Sequence, residues 1–197
     1  MAEQLAQLLR QEKAYDVILT RDSDVFVPLE DRSRLANEAG ADLFISLHCN
    51  YSRSHAVNGF EIYFLSEKAS DPEAELVARF ENESLKFENG RSGAPEDNIE
   101  ALTILSELER MEFINQASEL GGFIAREMSA RVKIENRGLK QAAFYVLRGT
   151  RSPALLIEMG YISNSRDAAL LSQAKVRNRI VDGIYAGVLK YAKRKGW

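Results

Sequence analysis

At 197 residues the chain has the length of one domain with room for an insertion, and 45% apolar residues supply a core. A formal charge of −3 offers no basic surface for general nucleic-acid binding. No apolar run is long enough to span a bilayer, and a single cysteine, Cys49, excludes an intrachain disulfide.

The opening MAEQLAQLL lacks the basic start and continuous apolar stretch of a secretory signal. Instead Leu5, Leu8 and Leu9 recur at helical spacing and predict an amphipathic helix ending near Lys13. Residues 16–20 (DVILT) read as a strand. Pro28 suits the first turn of a helix running to about Ala39, with Gly40 as its stop. Residues 41–50 (ADLFISLHCN) hold a short apolar run that fits a strand buried on both faces of a parallel sheet. This order predicts an α/β fold, a twisted, mostly parallel sheet flanked by helices. A polar loop follows. Residues 59–65 (GFEIYFL) then read as a strand with Phe60, Ile62 and Phe64 on one face, and Glu61 beside Tyr63 on the other.

Residues 66–116 break this rhythm with a charged helix over 71–86, a Gly/Pro loop and a second helical pattern, and they read as a helical insertion. The pattern continues into a helix whose stripe, Leu120, Phe123, Ile124 and Met128, packs on the sheet. Residues 144–147 (FYVL) are predicted as a strand, as are residues 153–157 (PALLI). Residues 164–171 and 175–191 read as closing helices, with a basic tail favoured by the helix dipole.

Two apolar strands thus end in ionisable groups, His48 and Glu158. As parallel neighbours they would share the sheet edge where α/β folds place their sites. Imidazole there suits a metal or a proton transfer. The plainer reading is a hydrogen-bonded histidine and a solvated carboxylate at two strand ends.

The motifs LTRDSD, PLEDRSRLANEAGADLFISLHCN, NGFEIYFLS and GLKQAAFYVLRGTRSPALLIEMGYISNSRDAALL, in that order, cover nearly the whole chain. They resemble the zinc-dependent N-acetylmuramoyl-L-alanine amidases of the third amidase fold type. The resemblance implies a peptidoglycan hydrolase that cleaves the amide between the lactyl group of N-acetylmuramic acid and L-alanine, using one Zn²⁺. His48 in SLHCN matches the family's second histidine ligand, and Glu158 in PALLIEMGYISN matches its catalytic glutamate. Asn50 matches an asparagine that touches substrate. Cys49 points away from a ligand on the opposite face of an extended strand. Bound zinc polarises the amide carbonyl and lowers the pKa of water toward neutrality. Glu158 would move the water's proton to the leaving amine.

The family's opening DPGHGG motif and the glutamate after it, which supply two further ligands, have no counterpart here. His55 matches no ligand position. Residues 1–197 therefore read as an amidase domain incomplete at its N-terminus, which alone should bind zinc weakly and cut negligibly. The other reading is a metal-free relative that holds peptidoglycan or an activator without cutting.

Division-associated members of the family carry a helical insert at residues 66–116, from which a glutamate plugs the zinc until an activator binds. Glu96, Asp97 and Glu100 are the corresponding residues, followed by an apolar stripe, Leu102, Leu105 and Leu108, expected to dock on the domain. The implied partners are peptidoglycan and that activator, in the periplasm or cell envelope.

Overall fold

Helices cover both faces of a four-stranded sheet in the computed structural model, which describes residues 1–87 and 104–197. In chain order these are α1 (Ala2–Gln11), α2 (Leu29–Glu38), β1 (Phe44–Asn50), β2 (Phe60–Leu65), α3 (Pro72–Asn82) and a 3-10 turn (Glu83–Phe87). After the undescribed residues come α4 (Ile104–Ser129), β3 (Asn136–Ala142), α5 (Tyr145–Arg148), β4 (Ala154–Tyr161), α6 (Ser165–Leu171) and α7 (Ala174–Lys195).

The sheet runs β1-β4-β2-β3. β1 with β4 and β2 with β3 are parallel, and β2 meets β4 antiparallel. Strand alternation sends side chains to two cores. Phe60, Ile62, Leu155 and Ile157 pack with α1, α4 and α7, whereas Tyr63, Leu65 and Leu156 pack with α2, α3 and α5. The predicted stripe on α4 lies against the sheet, with Leu120, Ile124 and Met128 fully buried. α7 closes over α4, carrying Ile180, Ile184, Val188 and Tyr191 into the same core.

Four expectations are corrected. Residues 16–20 form no strand: nothing pairs with them among the described residues, Ile18 is exposed, and Val17 is tied back to α1 by Arg10. β1 has both faces packed, Phe44 toward one core and Ile45 and Leu47 toward the other, but it is an edge strand of half-buried residues and not the interior strand of a parallel sheet, because only β4 pairs with it among the described residues. Residues 144–147 enter the short helix α5, while the strand is the preceding, more polar β3. A four-residue apolar run does not separate strand from helix. Leu108 is 57% exposed, so it does not dock on the domain.

Candidate metal and catalytic site

The site lies on the sheet face covered by α3. Parity along β1 sends Leu43, Ile45, Leu47 and Cys49 toward the α4–α7 core and leaves Ser46, His48 and Asn50 for the opposite face. On β4, Leu155, Ile157 and Met159 point to the α4–α7 core, so Glu158 joins His48. Strand pairing sets His48 opposite Glu158, and Glu158 opposite Glu61 of β2. Both strands shift register just beyond, so that Asn50 meets Tyr161. Gly160 takes φ +148°, which suits a residue without Cβ, and the shift returns Tyr161 to the face that holds Glu158.

Glu158 is not a solvated strand end. Its strand continues to Tyr161, its exposure is 0%, and neither carboxylate oxygen has a hydrogen-bond partner among the described residues. Burial, with the nearby carboxylates of Glu81 and Glu61, holds its pKa well above the usual carboxylate range.

Its neighbour Glu61 is equally buried but fully partnered. Arg137 Nε and Lys140 Nζ each lie 2.8 Å from Oε1. Tyr63 and Tyr161 donate their hydroxyls to Oε2 at 2.7 and 2.9 Å. Burial pulls this carboxyl's pKa up, but the hydrogen bonds from Lys140, Arg137 and Tyr63 outweigh it and hold the group below its ordinary range. Burial likewise raises both tyrosines, so they stay neutral donors. Two adjacent carboxylates are thus driven apart, one kept ionised and one pushed toward the neutral form.

His48 Nδ1 lies 2.8 Å from Glu81 Oε2 on the last turn of α3, and its Nε2 is 3.0 Å from Ser46 Oγ. One donor atom each from His48, Glu81 and Glu158 fall within 4.8 Å of one another, and no other such trio forms among the described residues. An imidazole nitrogen and carboxylate oxygens are a ligand set that zinc accepts. Two bare, buried carboxylate oxygens beside them fit a cation as their missing partner.

Asn50, expected at the substrate, is 2% exposed: its Oδ1 accepts from Tyr51 N at 2.8 Å and its Nδ2 reaches Glu61 at 3.5 Å. Cys49 packs against the opposite core. His55 stands apart, offering its backbone carbonyl to Asn164. Glu96, Asp97 and Glu100 lie outside the described residues.

Glu81 escaped the sequence reading, yet a signal was present. It continues the i, i+3, i+4, i+7 stripe of Ala74, Val77 and Ala78, which is buried, so a carboxylate sits on the inward face of α3. Lys140 and Arg137 were hidden because β3 was placed too late in the chain.

The model of the N-acetylmuramoyl-L-alanine amidase family Amidase_3 matches residues 1–190. The chain belongs to this amidase family. It is 31% identical over 192 residues to the N-acetylmuramoyl-L-alanine amidase AmiA of Escherichia coli, covering 97% of this chain and 65% of AmiA. It therefore spans just under two thirds of that relative's length. The catalytic domain of the amidase CwlV from Bacillus (Paenibacillus) polymyxa superposes with a TM-score of 0.66 at 26% identity, covering 98% of this chain and 80% of that one. The CwlD amidase from Clostridioides difficile, solved in complex with the GerS lipoprotein, shares the fold with a TM-score of 0.65 at 20% identity, covering 98% and 83%. In this chain His48 and Glu158 are the ionisable side chains that pair across β1 and β4.

Proposed function

We propose that the protein is a peptidoglycan amidase that hydrolyses the bond between N-acetylmuramic acid and L-alanine, with zinc held at His48. The observation that carries this reading is the pairing of His48 with Glu158 across parallel strands, the latter buried with both oxygens unpartnered. Bound zinc would supply carbonyl polarisation and a more acidic water. Glu158 takes the proton of the attacking water as its oxygen bonds to the lactyl carbonyl carbon. The same carboxyl gives that proton to the alanine nitrogen as the C–N bond breaks. Burial raises this carboxyl's hold on a proton, which suits a group that keeps the proton between water and amine. Glu61 stays ionised on its cations and keeps negative charge beside Glu158. Asn50, occupied internally, acts by holding Tyr51 and Glu61.

The substrate places the protein in the periplasm or cell envelope, and no helix among the described residues is long and apolar enough to cross a membrane. We also propose that residues 66–116 regulate the site, with Glu96, Asp97 or Glu100 plugging it until an activator protein engages the insert. Support comes from α3, which lies in this stretch and already reaches His48, and from CwlD, which was solved with a protein partner.

The test is Glu158→Gln in the complete product of the gene, assayed on purified sacculi. Activity should fall by roughly 10²- to 10⁴-fold, the span of a general base, with zinc content unchanged. Activity at the wild-type rate would overturn the assignment.

A further inference from the structure

On the far side of the sheet from His48 and Glu158, the turn between α6 and α7 meets the end of α4. Two cavities there, of about 420 and 210 Å³, share Arg131 and Arg179 as walls. Lys133 and Lys175 complete the charged lining of the smaller one. No acidic residue lines it, and Asp182 borders only the larger. Its apolar walls, Val132, Leu170 and Val176, pack against the α4–α7 core. The frame is tied down. Arg177 donates to Leu171 O at 2.9 Å and to Ser172 O at 2.7 Å across the α6–α7 turn, and Glu127 holds Arg131 at 2.5 Å.

Local stability does not explain these charges. The first turn of α7 holds no acidic residue but does hold Lys175 and Arg177, where cations oppose the helix dipole. Lys175 and Arg179 stand four residues apart on one helix face, a like-charge spacing that disfavours a helix. Lys133, Lys175 and Arg179 are exposed and make no ion pair among the described residues. They gather in a chain with 29 acidic residues against 26 basic ones. A bound anion would offset both penalties. The concave wall suits a compact anion with apolar groups of its own, whereas a flat lipid surface would meet only the rim.

We propose that Lys133, Lys175 and Arg179, with Arg131, bind the carboxylates of an acidic peptide, namely an uncut stem peptide of the polymer on which the site at His48 acts. The inference rests on the reading of the protein as a peptidoglycan amidase. Stem peptides carry free carboxylates and recur along each glycan strand. A stem held behind the sheet keeps the enzyme on the polymer while another stem enters the site. That raises the local concentration of substrate without any contact to the reacting bond.

The test cosediments the 197-residue chain, and its triple variant Lys133→Gln, Lys175→Gln, Arg179→Gln, with purified sacculi. The variant should bind at least about tenfold more weakly, the loss expected of three exposed charge contacts. Wild-type binding should weaken with added salt. The synthetic dipeptide L-alanyl-γ-D-glutamate should compete for it, and the diamide of that dipeptide should not. Equal binding by the variant, or equal competition by the diamide, overturns the proposal. Inorganic phosphate competing as well as the dipeptide overturns it too, by marking an unselective anion site. Binding to phosphatidylglycerol vesicles but not to sacculi overturns it in favour of a lipid surface. In the complete gene product the variant should lose activity on sacculi severalfold, yet release peptide with a free N-terminal L-alanine from soluble muropeptide at the wild-type rate. A wild type that binds sacculi through these cations but releases no such peptide from either substrate refutes the amidase reading and leaves the binding site standing. Release by wild type, with binding unimpaired in the variant, refutes the binding site alone. Should the triple variant unfold by circular dichroism, Lys133→Gln and Arg179→Gln made singly decide by the same criteria.

Discussion

Glu158 sets the energetics of the site at the scale of one residue. A buried carboxylate without hydrogen bonds destabilises the fold when charged, and its raised pKa expresses that cost. For a group whose folded pKa is raised, the stability it contributes is fully present below the unfolded carboxylate range and is lost as pH rises toward the folded value. In chelator, the wild type should therefore lose thermal stability relative to Glu158→Gln as pH climbs from about 5 to 8, starting above the ordinary glutamate pKa near 4.3. A gap of several degrees at pH 8 is expected, with roughly 2–4 °C for each kcal/mol in a chain of this size. Glu61 has the opposite sign: its pKa is lowered, so its contribution is lost only as pH falls below the usual range. Melting curves at four pH values check this, and a gap independent of pH would contradict the buried, unpartnered carboxylate. His48 and Glu158 were legible in the sequence because each follows an apolar run that strand periodicity could place. The state of Glu158 was not, since whether a strand end is wet or buried depends on what covers it, here α3.

The elements show where pattern reading succeeds and where it stops. The long helices α4 and α7 were readable in the sequence, α4 from its apolar stripe. Residues 16–20 look like a strand by composition, but a strand exists only with a hydrogen-bonding neighbour. Close packing of α4 on α7 was equally invisible. A Cβ on Gly187 would stand 2.6 Å from Ile124 Cα, and one on Gly183 would stand 2.9 Å from Met128 Cα. These backbone approaches bring α7 against the helix that covers the sheet. Gly187→Ala gains helix propensity of about 1 kcal/mol, yet overpacking against backbone costs about 1–3 kcal/mol. Since backbone cannot yield as a side-chain tip does, a net loss of about 1 kcal/mol or more is expected in urea unfolding. A variant as stable as wild type would show that the two helices separate freely.

At the scale of the whole molecule, the proposed function assigns chemistry to the sheet edge and control to residues 66–116. The described part of the insertion already sends Glu81 to His48, and Leu108 and Met111 on α4 remain exposed, leaving apolar surface for a partner. Deleting residues 88–109 from the complete gene product should raise basal activity on labelled sacculi and remove stimulation by an activator. A shift of ~1.4 kcal/mol in the blocked state is a tenfold change. A folded deletion variant with unchanged activity would leave the insertion as a docking surface only. The most direct test of the account is the chemistry of the product. Purified sacculi are digested with the complete gene product, with zinc and with chelator, and the soluble fragments are analysed by mass spectrometry. The account predicts stem peptides with a free N-terminal L-alanine, absent under chelation and restored by zinc. Peptides released still joined to muramic acid, or release that persists in chelator, would contradict it.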